Sequence, residues 1–199
     1  MATLHVGITG GIGSGKTVAS RLFEVLGIPV YYADAEAKRL MQEDATLRAQ
    51  LITAFGKEVY NEEGLNRSWL ATQVFGNAGK LALLNSLVHP AVIAHGQQWS
   101  QQQTAPYTLK EAALIFESGS SAGLDVVIGV WAPQALRIKR VMHRDGISRQ
   151  EVLARMHKQM DEGIKMKLCD YVLYNDEQQM LIPQVLALHE QLLAMSGSI

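Results

Sequence analysis

Cysteine is almost missing from this chain: its 199 residues include one, Cys169. A lone thiol closes no intrachain disulfide and excludes a four-Cys zinc site or a Cys-rich cluster. The six His residues have no metal-ligand spacing, and His189-Glu190 lacks the second His of an H-E-x-x-H string. No uncharged apolar run reaches the roughly 18 residues of a spanning helix. The start, Met1-Ala2-Thr3-Leu4-His5-Val6, has no basic stretch before an apolar one and does not read as a signal peptide. Excess charge is lacking too. Lys and Arg number 18 against 19 Asp and Glu, a net charge of −1, which gives no reason to expect nucleic acid as the main partner. The expectation is a cytoplasmic protein with small-molecule partners, neither nucleic acid nor membrane.

What is present is an ordinary globular balance, 48% apolar and 19% charged, long enough for one core with small lobes. Short apolar runs at 4–9, 29–33, 107–116, 125–132 and 170–174 read as strands. Between the first two, Val18, Leu22, Val25 and Leu26 share a helix face that Gly27 is placed to end. Five strands separated by helices predict an α/β domain with a mainly parallel sheet. Residues 35–103 exceed what one crossover needs, and Leu47, Leu51, Phe55, Trp69, Leu70 and Val74 keep helical spacing; this is a helical lobe inserted beside the sheet. Residues 133–168 carry a basic run from Arg137 to Lys167, with Val152, Leu153, Met156 and Met160 as an anchoring face, and predict a small lid. Residues 1–34, 104–132 and 169–199 are left as the core.

The strongest signal is at residues 10–17, Gly10-Gly11-Ile12-Gly13-Ser14-Gly15-Lys16-Thr17, which satisfy G-x-x-x-x-G-K-[ST] between a strand and a helix. The glycines allow a tight turn in which backbone N–H groups from Gly11, Ile12, Gly13, Ser14 and Gly15 surround phosphate oxygens. The helix that follows adds the positive end of its dipole. Lys16 then reaches the β- and γ-phosphates of ATP, and the Thr17 hydroxyl serves Mg²⁺. The D-x-x-G and N-K-x-D strings of GTPase switches are absent, which argues against a GTPase switch; the cradle identifies the nucleotide but not the second substrate, and motor ATPases and small-molecule kinases share it.

Asp34 follows the second strand, at the sheet edge where ligands of open parallel sheets gather. A carboxylate there serves either as base for an acceptor hydroxyl or as cap of a helix starting at Ala35. Arginine forks stabilise a transferring phosphate best, which favours a lid role for the basic segment over a solvated face. Glu117 is open between a water-mediated Mg²⁺ contact and a plain surface role. His89 before Pro90 reads by itself as a helix-boundary residue.

The segments at 9–17, 26–34, L-V-H-P at 87–90, A-L-I-F-E-S at 113–118, R-V-M-H-R-D-G-I-S at 140–148 and C-D-Y-V-L-Y-N at 169–175 together resemble the dephospho-coenzyme A kinase family over essentially the whole chain. The resemblance implies a P-loop kinase core with a five-stranded parallel sheet. It implies transfer of the ATP γ-phosphate to the ribose 3′-hydroxyl of dephospho-coenzyme A. It also implies Asp34 as base, Arg67 and His89 in the substrate lobe, Arg140 and Arg144 in the lid, and Asn175 near adenine. The chain departs from the family pattern at Tyr32 and Lys38: a first carboxylate of D-A-D is replaced, and an Arg fork becomes an ammonium. By this reading Asp34 has no neighbouring carboxylate to substitute for it. The alternative is another small-molecule P-loop kinase, for a nucleoside, nucleotide or sugar acid.

Overall fold

A computed structural model describes residues 3–197. Strands β1 (Leu4–Thr9), β2 (Val30–Tyr32), β5 (Tyr107–Glu111), β6 (Val126–Trp131) and β7 (Tyr171–Tyr174) form one parallel sheet in the order β2-β5-β1-β6-β7. Between them run α1 (Lys16–Val25), α2 (Ala33–Glu43), α3 (Ala45–Phe55), the short β3 (Tyr60–Asn61) and β4 (Gly64–Leu65), α4 (Arg67–Val74) and α5 (Ala78–Gln101). Helices α6 (Gln134–Asp145), α7 (Arg149–Met156), α8 (Glu162–Lys167) and α9 (Leu181–Ser196) complete the chain. The chain divides into two compact units, one running up to Tyr32 and again from Trp99, the other Ala33–Gln98.

In the first unit the period-2 alternation of the strands builds the core. Leu4, Val6 and Ile8 of β1 pack with Tyr107, Leu109, Val126, Ile128 and Val130 on one face of the sheet. Ala19 and Phe23 of α1 and Val185, Leu188 and Leu192 of α9 cover that face. Gly27, at φ 85°, takes the left-handed turn that ends α1, and Ile28 N–H returns to the Phe23 carbonyl. Because every strand pair is parallel, the carboxyl ends of all five strands lie along one edge. The chain reverses its order of strand addition around central β1, the switch point where such sheets take ligands.

A second, small cluster joins Ile138, Val141 and Val152 with Ile12, Ile147, Leu153 and Met156. The anchoring face expected of the lid is therefore real for Val152, Leu153 and Met156, and its partners include a P-loop side chain. Met160 lies outside that cluster.

In the second unit, Leu40, Leu47, Leu51, Val59, Leu70, Val88 and Val92 are buried. Asp44 and Asn66 cap α3 and α4 through Leu47 N–H and Trp69 N–H. The unit starts at Ala33 and stops at Gln98, against the expected 35 and 103.

Candidate active site

The turn from β1 into α1 is held by its own backbone and by its neighbours. Ser14 N–H donates to the Gly11 carbonyl at 3.0 Å, and Gly15, at φ 93°, enters α1 in the left-handed region. A Cβ on Gly15 would strike the Asn175 amide, which donates to the Ser14 carbonyl at 2.9 Å. A Cβ on Gly13 would strike the Arg137 backbone of α6. The Ser14 hydroxyl is buried with no hydrogen-bond partner, a donor suited to an oxygen-rich ligand.

Lys16 and Thr17 open α1 and share one partner that sequence reasoning missed. Glu111, the last residue of β5, is 7% exposed. Its Oε1 lies 3.6 Å from Lys16 Nζ, and Thr17 Oγ1 donates to its Oε2 at 3.3 Å. In the sheet register Glu111 stands opposite both Ile8 and Tyr32. The expected lack of a carboxylate near position 32 is thus corrected: it comes from the adjacent strand. Sequence reasoning extended this strand to Phe116, whereas it ends at Glu111 and residues 113–119 turn. The one available signal was a Lys-Glu pair inside an apolar run. The Thr17 hydroxyl beside a carboxylate is a hard-oxygen donor set that fits Mg²⁺, an ion usually held by one or two carboxylates plus substrate phosphates. Among the described residues, no group of three or more His, Cys, Asp and Glu could hold a metal without such phosphates.

The basic segment is only partly a solvated face. Arg137 is 7% exposed and pairs with Glu162 at 2.9 Å. Glu162 also accepts the Gly11 N–H, and Gln159 accepts the Ile12 N–H at 2.9 Å, so α8 and the loop before it grip the first half of the P-loop. Lys165, fully buried, donates to the Ala113 carbonyl and lies 3.0 Å from Glu117. Burial alone disfavours the charged Glu117 carboxylate, but the Met160 N–H and Lys165 outweigh it and hold its pKa below the usual range. Glu117, although exposed, therefore ties residues 113–119 to Met160 and Lys165. Arg140 reaches Glu177 at 3.2 Å through Nη2, while its Nη1 is buried with no hydrogen-bond partner. Arg144 is exposed, its fork closed on Asp145, which also pairs with Arg155.

The remaining candidates belong to the helical unit. Asp34 is exposed in the first turn of α2, which begins at Ala33, so it is not the N-cap of a helix starting at Ala35. Arg67 is the exposed first residue of α4. His89, within α5, is half-buried, and loss of solvent lowers its pKa. Its neighbours Leu87, Pro90 and Ala91, with Leu47 and His95, line a cleft of about 390 Å³. Lys16, Thr17, Asn175, Arg140 and Arg144 thus lie in one unit, and Asp34, Arg67 and His89 in the other.

Residues 4–180 match the dephospho-CoA kinase family. The chain is 44% identical over 180 residues to a dephospho-CoA kinase of Salinibacter ruber, covering 88% of this chain and 89% of that one. Identity to a dephospho-CoA kinase of Bacteroides fragilis is 38% over 186 residues, or 93% and 91% of the two chains. The solved dephospho-CoA kinase of Campylobacter jejuni is similar with a TM-score of 0.69 at 25% identity, over 98% of each chain.

Proposed function

The chain belongs to the dephospho-CoA kinase family, and from that premise we propose how its residues divide the transfer. It is an ATP-dependent kinase acting in coenzyme A synthesis. In the reaction the ribose 3′-oxygen of dephospho-coenzyme A forms a bond to the γ-phosphorus of ATP. The bond from that phosphorus to the β,γ-bridging oxygen breaks, the acceptor proton departs, and coenzyme A and ADP are left. The observation that carries the reading is the P-loop itself, braced on one side by Asn175 and on the other by Arg137, Gln159 and Glu162.

Lys16 and the backbone N–H groups of the turn hold the phosphates as fixed donors, except those of Gly11 and Ile12, which must first leave Glu162 and Gln159. Asp34 takes the acceptor proton, Arg67 and His89 bind dephospho-coenzyme A, and Arg140 and Arg144 face the charge that spreads over the moving phosphoryl group. Asn175 lies beside the adenine. Mg²⁺, when bound next to Thr17, neutralises phosphate charge. The helical unit serves the acceptor, residues 133–168 act as the lid, and the setting is the cytoplasm; no helix among the described residues is long and apolar enough to cross a membrane.

Mass spectrometry of ATP incubated with dephospho-coenzyme A, and separately with nucleosides, nucleotides and sugar acids, tests the reading. A phosphate added to dephospho-coenzyme A and to none of the others is the expected result. Preferred phosphorylation of a nucleoside or sugar acid would overturn it.

A further inference from the structure

We propose that Glu177 is a positioning residue that fixes the Arg140 guanidinium beside the P-loop, a role that rests on Arg140 facing the transferring phosphoryl group. Among the described residues Glu177 is the one non-glycine with a positive φ, at 66°. It sits in the turn between β7 and α9, past the carboxyl edge of the sheet. The turn is fixed on both sides of it. Asn175 donates its backbone N–H to the Trp131 carbonyl at 2.8 Å and its side-chain amide to the Ser14 carbonyl at 2.9 Å. The Asp176 carboxylate accepts the Gln178 and Gln179 N–H groups at 2.9 and 3.0 Å. From this frame the Glu177 carboxylate accepts from Arg140 Nη2 at 3.2 Å. On its other flank the P-loop meets α6, where a Cβ on Gly13 would strike the Arg137 carbonyl oxygen and the Val141 side chain. The Arg140–Glu177 contact therefore joins the two segments that border the P-loop.

Stability does not account for this arrangement. The Arg140 and Glu177 side chains are 26% and 65% exposed, and an ion pair so exposed contributes little to folding. A left-handed backbone, by contrast, is a cost for a residue with a Cβ, and glycine would remove it. Strain of this kind persists where the surroundings over-determine it, often at a working site. What the contact does supply is direction. A guanidinium is a rigid planar fork, so holding Nη2 fixes where Nη1 points. Nη1 is buried and has no hydrogen-bond partner among the described residues, so one arm of the fork is anchored and the other is left to donate. A buried donor without a partner is a cost until an oxygen meets it, and the nucleotide phosphates bring such oxygens to the P-loop. Without the Glu177 carboxylate the long Arg140 side chain would regain rotamers and present Nη1 there only part of the time.

Steady-state kinetics with ATP and dephospho-coenzyme A, together with thermal melting, test this on Glu177→Gly, Glu177→Gln, Arg140→Lys and the double variant of Glu177→Gly with Arg140→Lys. Glu177→Gly removes the carboxylate and the backbone strain together, so it should melt close to wild type. Its kcat should fall on the order of 10-fold with little change in KM for ATP; a misplacement of about 1 Å costs up to about 10²-fold, and here the guanidinium stays tethered to α6. Glu177→Gln, which keeps an acceptor oxygen for Nη2, should recover part of the loss. In the Arg140→Lys background Glu177→Gly should cost nothing further, because the fork it aims is gone. Wild-type kcat in Glu177→Gly overturns the proposal. So does an equal loss in both backgrounds, or a change confined to KM. A drop in kcat that comes with a marked drop in melting temperature also overturns it, since that is a purely structural role. Unchanged kinetics in Arg140→Lys would remove the Arg140 assignment itself, whereas a loss in Arg140→Lys with wild-type kcat in Glu177→Gly removes this inference alone.

Discussion

Arg137 and Glu162 form a 2.9 Å ion pair, 9% and 13% exposed, directly over Gly11, where a Cβ would collide with both side chains. The pair ties α6 to α8, and Glu162 also accepts the Gly11 N–H, so the phosphate loop is shaped partly by residues some 125 to 150 positions further along the chain. Removing one partner leaves the other charge buried, at about 3–5 kcal/mol. Arg137→Met should lower unfolding free energy by about that amount in urea titrations at neutral pH. Arg137→Met with Glu162→Gln, which keeps an acceptor for Gly11, should recover part of the loss. Additive losses in the double variant would mean that the two charges do not depend on each other.

Arg140 and Arg144 are proposed for the same task, yet their surroundings differ. Arg144 is exposed and its fork is occupied by Asp145, a solvent-screened surface pair that contributes little to stability. Arg140 has a buried Nη1 with no hydrogen-bond partner among the described residues and an Nη2 contact to Glu177. Lysine keeps the charge but loses the fork. Arg140→Lys should therefore lower kcat on the order of 10²–10³, as for loss of one fixed transition-state donor, with little change in KM. Arg144→Lys should lower it less, because Asp145 competes for the guanidinium. Steady-state kinetics with ATP varied decide the matter. A change confined to KM for ATP would demote both to ground-state binding.

Glu117 gives the fold a definite acid response. Its pKa in the folded chain lies below the ordinary carboxylate value, despite burial, because Met160 N–H and Lys165 favour the charged form. A carboxyl with a depressed folded-state pKa contributes stability above its unfolded pKa, near 4.3, and the contribution is lost as pH falls through the lower folded value. Glu117→Gln should thus lower stability at pH 7, by less than the roughly 1.5–3 kcal/mol of a buried hydrogen bond to a charged group, because solvent screens this exposed carboxylate. The gap to wild type should narrow as pH drops below about 4.3. Denaturant midpoints measured from pH 7 to pH 3 test this, and a gap independent of pH would mean that Glu117 contributes shape and not charge.

How much of this was legible in the chain follows from how local each signal is. The P-loop occupies consecutive residues, so its turn, its helix and the strand ahead of it read directly from 4–25. The long helical interval also read correctly as helices, although the short pair β3 and β4, two residues each, left no period to detect. Glu111 was invisible because its surroundings are non-local: β1 and α1 bring Ile8, Lys16 and Thr17 to it from roughly a hundred residues upstream. Charge runs misled in the same way. Arg137 and Lys165 sit in a stretch that looks solvated by composition, yet both are buried because Glu162 and Glu117 meet them. Arg67 and His89 carry no physical signature of their own and entered through resemblance alone.

The last prediction concerns Asp34. It lies two residues past the end of β2, exposed in the first turn of α2, and is proposed to take the proton of the acceptor hydroxyl. A competing structural role is the favourable contact of a carboxylate with the helix N-terminus, worth about 0.3–1 kcal/mol. Asparagine keeps the size and the hydrogen-bonding oxygen while removing the charge and the proton affinity. If the role is structural, Asp34→Asn costs at most about 1 kcal/mol of stability and leaves turnover unchanged. If the role is chemical, the same variant keeps its ADP affinity and folds normally but loses on the order of 10²–10⁴ in transfer rate. A loose transition state demands little of its base, which places the expected loss toward the lower end of that span. ADP calorimetry, thermal melting and a coupled ADP-release assay with dephospho-coenzyme A, run on one preparation, distinguish the two. Wild-type turnover in Asp34→Asn would leave Asp34 as a helix-dipole partner and hand the proton to another group.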